Sequence, residues 1–374
     1  MLRKIKLVNF KCFEQLDLDC TSLNLLCGLN GMGKSSVIQS LLVLQQSFET
    51  GELLNGRLVL DGERIDLGTG LDILFEGARG DVVGFALQDD EITDQWGLVC
   101  NYSQPLNQWG QWSNNINEHT KYLPEAWQKV PPFGGRLIYV NAERVGPRKL
   151  YPLSGMHARR GDFGTSGEYA WNYLNLYRDD RLSDEDPRIE GVGRGLLNVV
   201  NQWLQDVCPG ARLELESVAD ADVVIAGFSF DRIGDIRTSR YRATNVGFGL
   251  SYVLPVILAL LSPPGTLCLI ENPEAHLHPR GQTKLAELAA RAASVGVQVF
   301  AETHSDHFID GVRIAVRDGL IGPKDTAIHY FERDGNNTVV SSPQVDADGR
   351  LSHWPAGFFD QHEENLARLL APRS

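Results

Sequence analysis

Apolar residues return at every second position through LRKIKLVNF (2–10) and EQLDLDC (14–20) and run on without a break in LNLLCG (23–28). Successive side chains of a strand point to opposite faces, so three short strands are expected here. The period then changes. From Lys34 to Phe48 the set Val37, Ile38, Leu41, Leu42, Val43, Leu44 and Phe48 follows helical spacing, and the chain reads strand, Gly-rich turn, helix. Residues 51–135 carry only short apolar stretches, such as VVGFALQ and WGLVCNY, among frequent Gly, Asp, Asn, Gln and Trp. Antiparallel strands and loops are expected, with Asn101 to Pro132 an ill-ordered, Trp-bearing excursion.

RLIYVNAERVGP (136–147) predicts a strand that re-enters the main sheet and stops at an Arg and a Gly-Pro turn. Glu168 to Tyr177 and Leu196 to Val207 have helical spacing, and the charged RDDRLSDEDPR between them reads as a solvated linker. ARLELESV and DVVIAGFSF predict a hairpin. From residue 245 to 331 the order is helix (248–262), strand TLCLIE, helix (281–294), strand VQVFAE, helix (305–318), strand AIHYFE. Continuous apolar strands alternating with helices predict an α/β fold with a parallel sheet covered on both faces. The expected organisation is an N-terminal β-rich lobe (1–150), a helical insertion (151–210) and a C-terminal parallel-sheet lobe (211–374).

GLNGMGKS (28–35) matches the phosphate-loop pattern GxxxxGK[ST] in full, directly after an apolar strand and before a helix. Glycines let successive backbone N–H groups turn toward phosphate oxygens, and the helix N-terminus adds a favourable dipole. Asn30, Gly31, Gly33 and Ser36 complete the loop, Lys34 would reach the β- and γ-phosphates, and the Ser35 hydroxyl would ligate Mg²⁺. Such a site needs an acid at the end of a second strand. Glu271 closes the apolar run of TLCLIENPEAHLHP (266–279) and is expected beside Ser35 on the metal side. Glu274, past Pro273, is a candidate base or water-positioning group. His304, just beyond the strand VQVFAE, is placed to donate to a γ-phosphate. His276, His278, His304, Asp306 and His307 are also metal-ligand types, but their spacing fits no helical zinc pair.

Composition narrows the function less than the motifs do. The 374 residues carry 35 Lys+Arg against 48 Asp+Glu, a net charge of −13, with 43% apolar residues. That balance supports a folded core and gives no general attraction to nucleic acid. Arg144, Arg148, Lys149, Arg159 and Arg160 are the one local basic cluster near the motifs. The N-terminal residues lack the apolar stretch of about 7–15 residues of a signal peptide. The longest apolar run, Val253 to Leu261, is broken by Pro255 and is about half the length of a membrane span. Six cysteines without a CxxC pair fit reduced thiols, so a soluble, cytoplasmic protein is expected.

The opening IKLVNFKCFEQLDLDCTSLNLLCGLNGMGKSS, the blocks IENPEAHLHP and ETHSDHF, and NVGFGLSYVLPVI (245–257) together resemble the ABC-type ATPase heads of SMC-like and RecF-like proteins, and especially bacterial AAA-type ATPases related to OLD proteins. The resemblance covers nearly the whole chain. It implies an ABC-head P-loop fold with ATP and Mg²⁺ as cofactors. It also implies a homodimer that sandwiches two ATP molecules, each between one subunit's phosphate loop and the other's signature segment. Asn245, Gly247 and Gly249 correspond to that signature, His304 to the switch histidine and Glu271 to the metal-side acid. Many relatives carry a second acid after the first, where this chain has Asn272; either Glu274 substitutes, or hydrolysis is slow and ATP works as a dimerisation switch. Gln45, Gln46 and Asp72 are candidates for a Q-loop. OLD proteins carry a Toprim nuclease domain after the ATPase, and about 40 residues here leave no room for one. A nuclease activity is therefore expected of a separate partner, in a setting such as anti-phage defence. WPAGFFDQHEENLARLL resembles the end of an uncharacterised branch of these ATPases.

Overall fold

The computed structural model describes residues 1–55, 57–92, 96–101, 111–112, 123–191, 193–231, 237–335, 337–355, 365 and 368–370. Its elements begin with β1 (Leu2–Phe10), β2 (Phe13–Asp19), β3 (Leu23–Gly28), α1 (Lys34–Glu49), α2 (Gly70–Ile73), β4 (Val82–Asp89), β5 (Trp96–Asn101), β6 (Gln111–Trp112) and β7 (Leu137–Val140). The middle of the chain forms β8 (Tyr151–Pro152), α3 (Gly155–Arg160), α4 (Ala170–Tyr177), α5 (Leu196–Val207), β9 (Ala211–Val218), β10 (Val223–Phe230) and β11 (Tyr241–Arg242). Then follow α6 (Phe248–Leu260), β12 (Leu267–Glu271), α7 (Pro279–Ser294), β13 (Gln298–Glu302), α8 (Asp306–Arg317), β14 (Thr326–Asp334) and β15 (Asn337–Ser341).

A six-stranded sheet ordered β15-β14-β3-β13-β12-β7 organises these elements. All its neighbours run parallel except the edge strand β15. Its inner strands β3, β13 and β12 are mostly apolar because both faces are covered. Leu25, Cys27, Cys268, Ile270, Val299 and Ala301 turn to one side, where α4 to α8 pack. Leu26, Leu267, Leu269 and Phe300 turn to the other, where α1 meets the antiparallel sheet β2-β1-β4-β5-β6. In that outer sheet β1 and β2 bury one face, which gives them their alternation. β9 and β10 form the expected hairpin, extended by β11 and β8.

The α/β architecture with mixed sheets agrees with the sequence reading, and most helix and strand bounds fall within two residues of it. The topology adds what periodicity leaves out. The phosphate-loop strand β3, read with the N-terminal lobe, is hydrogen-bonded between β13 and β14 in the sheet of the C-terminal half.

The linker RDDRLSDEDPR is not simply solvated. Arg188 is buried, ion-paired to Asp186 at 2.6 Å, and donates to the carbonyls of Leu260 and Ser262 at the end of α6. A paired and hydrogen-bonded guanidinium tolerates such burial and satisfies carbonyls a helix end leaves open. Most of the predicted Trp-bearing excursion and of the segment WPAGFFDQHEENLARLL lies outside the described residues. Among the described residues no helix is long and apolar enough to cross a membrane.

Candidate functional site: the phosphate loop and its acids

The loop between β3 and α1 turns on glycines in the left-handed region, Gly31 at φ 75° and Gly33 at φ 93°. A Cβ on Gly33 would lie 2.4 Å from Cys12 Sγ, so the loop packs too closely for any side chain there. Lys34, the first residue of α1, is buried; its Nζ donates to the carbonyls of Gly28 and Leu29 at 2.9 and 2.7 Å. Burial lowers its pKa, against the pull of Glu302, whose Oε1 lies 4.0 Å away. Ser35 Oγ donates to Glu302 Oε2 at 2.7 Å.

That last contact corrects the expected position of Glu271. β13 stands between β3 and β12, so Glu302 pairs in register with Leu26 on one side and Glu271 on the other. Glu302 therefore takes the place beside Ser35, and Glu271 lies one strand further out. Glu271 accepts from Tyr139 Oη at 3.0 Å and from the Ala142 amide at 3.2 Å. Glu274 accepts from the His304 amide at 2.8 Å, which fastens the loop after β12 to the end of β13. Burial raises the pKa of all three carboxylates; Glu302 is raised further by Glu271 and Glu274. The His304 side chain is exposed, with its pKa lowered by partial burial and by Lys34. Asn272 adopts φ 45°, and its buried Oδ1 has no hydrogen-bond partner among the described residues.

Arg144, counted above in a surface basic cluster, is instead buried at the centre of the site. Its guanidinium donates to the carbonyls of Glu271, Asn272, Asn141 and Tyr252 and lies 5.9 Å from the Tyr252 ring. Burial lowers its pKa to about 10. It thus joins the end of β12 to α6. The residues expected to form the signature segment lie at the start of α6: Asn245 ends a short 3₁₀ turn, Gly247 is the N-cap, and both are exposed. Gly249 has a packing reason of its own, since a Cβ there would lie 2.6 Å from His276 O. Phe248, 56% exposed, sits beside Tyr252 and His276.

Asn30, Gly31, Gly33, Lys34, Ser35 and Ser36 line a cleft of about 840 Å³, together with Lys11, Asp72, Glu302 and Arg333. Glu271, Glu274, Asn245, Gly247 and Gly249 are not among its lining residues. Gln46 does not reach the cleft; its side chain holds residues 59–65 through four hydrogen bonds. Asp72 caps α2 through Thr69. The residues that sequence reading missed are Glu302, Arg144 and Tyr139. Glu302 ends an apolar strand just as Glu271 does, and only the strand order separates their roles. Among the described residues no group of three or more His, Cys, Asp or Glu side chains could by itself hold a metal ion.

Fold and site together define an α/β fold built around a phosphate loop, and three family models each match part of the chain. The "AAA ATPase domain" family matches residues 1–91, and the family described as "AAA domain, putative AbiEii toxin, Type IV TA system" matches residues 233–310. A family described as "Protein of unknown function (DUF3696)" matches residues 321–369. No curated protein matches. Among solved structures the chain is similar to an Smc head bound to the C-terminal winged-helix domain of ScpA, at 14% identity and a TM-score of 0.56, covering 92% of this chain and 98% of that one. It is also similar to an Smc head with an extended coiled coil bound to a ScpA domain derived from Pyrococcus furiosus, at 15% identity and a TM-score of 0.50, covering 99% of both chains. At this identity the likeness defines the fold.

Proposed function

We propose that the chain binds ATP with Mg²⁺ at its phosphate loop and hydrolyses it within a head-to-head homodimer, which acts as a switch on a partner protein. The observation that carries this reading is the arrangement of Lys34, Ser35 and Glu302 at the mouth of one glycine-built loop. Lys34 would exchange its loop carbonyls for phosphate oxygens. The oxygen donors present suit a hard cation: Ser35 would hold Mg²⁺, with Glu302 and Glu271 as the neighbouring carboxylates. The ion would supply charge neutralisation on the phosphates. Glu274, held by the His304 amide and raised in pKa by burial, suits a proton acceptor better than Asn272, which cannot take a proton. The exposed start of α6, with Asn245 and Gly247, is the surface that would meet ATP held by the second copy.

The Smc heads of similar fold are solved bound to ScpA domains, which supports a protein partner for this chain. A nuclease effector and a role in anti-phage defence follow from the OLD-like resemblance. Phosphate release that depends on Mg²⁺ and disappears in Lys34→Ala is the test. Asn272 favours a second reading, a nucleotide-binding scaffold with negligible turnover, which phosphate release at the Lys34→Ala level would select. A DNA-engaging, RecF-like role is weakened by the burial of Arg144, which removes it from the basic cluster.

A further inference from the structure

A second cavity of about 660 Å³ opens at the opposite edge of the central sheet, where β7 and β12 begin and α6 ends. Its apolar wall includes Leu182, Leu261 and Pro264. Tyr173 and Tyr177 line it as a pair, ring centroids 4.8 Å apart. Four arginines also line it; Arg188 is ion-paired to Asp186, while Arg136, Arg159 and Arg181 make no ion pair with a carboxylate among the described residues. Arg136 is the most fixed of the three. It lies 5.6 Å from the Tyr173 ring centroid and donates to Tyr173 Oη at 3.2 Å and Gly161 O at 3.3 Å, while its buried Nε has no partner. Gly161 leaves room for it, since a Cβ there would fall 1.9 Å from Arg136 Nη2.

Unpaired arginines suit a phosphate, and adjacent tyrosine faces suit a flat ring. Asp180 and Glu185 also line the cavity and offer acceptors for hydroxyl or amino groups. A nucleoside monophosphate carries all three features. We infer that this cavity is a second ligand site that takes a nucleoside monophosphate, its base against Tyr173 and Tyr177 and its phosphate at Arg136, Arg159 and Arg181. The cavity shares no lining residue with the phosphate-loop cleft, so the inference stands apart from the reading of the phosphate loop.

Calorimetric titration of AMP into the full chain tests it. Saturable binding is expected in the wild type with excess ATP·Mg²⁺ present and equally in Lys34→Ala. Arg159→Glu and Arg181→Glu, both at exposed positions, should each weaken it roughly ten-fold or more. Tyr177→Ala should weaken it as well. Absence of binding under both conditions, displacement of AMP by ATP, or affinity unchanged in both arginine variants would overturn the inference.

Discussion

Ser35 Oγ donates to Glu302 Oε2 at 2.7 Å, and it does so because β13, not β12, lies beside the phosphate-loop strand. The acid beside the Ser35 hydroxyl is therefore the one that ends β13. Substituting Glu302 by Gln removes that charge and keeps the shape. The expected outcome is a Mg²⁺ requirement for phosphate release raised roughly ten-fold, the range for one lost charge-assisted contact. Titrating Mg²⁺ at fixed ATP measures it; an unchanged midpoint would show that Glu302 is a structural partner of Ser35 alone.

Lys34 is buried and, among the described residues, donates hydrogen bonds to two carbonyls of its own loop. Lys34→Ala should lower phosphate release roughly 10²–10³-fold, the usual cost of deleting one preorganised electrostatic group. The fold should survive, since the carbonyls of a glycine-rich loop can turn to water. Thermal melting checks that the loss is functional.

Arg144 ties Glu271, Asn272 and Tyr252 together through their carbonyls. Arg144→Ala leaves these groups unsatisfied, at a cost of about 3 kcal/mol. Arg144→Lys cannot fork to several carbonyls at once and should recover stability better than turnover. Comparing melting temperature with turnover rate in the two variants separates packing from positioning. Equal recovery of both in the lysine variant would contradict a positioning role.

The α/β class, the phosphate loop and the helix order were legible because each depends on local pattern: glycine spacing, a change of period from two to 3.6, and continuous apolar strands. What periodicity cannot supply is strand order. TLCLIE and VQVFAE look alike, each an apolar run closed by Glu, and choosing between Glu271 and Glu302 requires knowing which one borders β3. The same limit hid Arg144 and Arg188. Each looks like a surface charge in sequence, yet each is buried because backbone carbonyls at the ends of β12 and α6 converge on it.

Glu274 is raised above its ordinary value near 4.5 by burial. A base must be deprotonated, so turnover should rise with pH along a limb displaced above the normal glutamate range. In Glu274→Gln turnover should fall and that limb should vanish. A pH–rate profile that keeps the same limb in Glu274→Gln would assign the titration to another group.

His329 on β14 is buried in the core; burial pushes its pKa from 6.5 down to about 4, and its Nδ1 contacts Ser342 Oγ at 2.8 Å. The folded state holds it neutral while the unfolded chain takes a proton below about pH 6.5. Stability should fall as the pH drops from about 6.5 toward 4, by up to about 3 kcal/mol from this one group. Denaturant unfolding of wild type and His329→Leu across that range measures it, and identical pH slopes would remove His329 as the source.

Light scattering with and without ATP·Mg²⁺, on wild type, Lys34→Ala and Glu274→Gln, with phosphate release followed in parallel, tests whether ATP drives dimerisation. ATP addition should double the mass of the wild type, leave Lys34→Ala unchanged, and give a persistent dimer with slowed phosphate release in Glu274→Gln. A wild-type mass that ATP leaves unchanged, with no phosphate released, would contradict the switch.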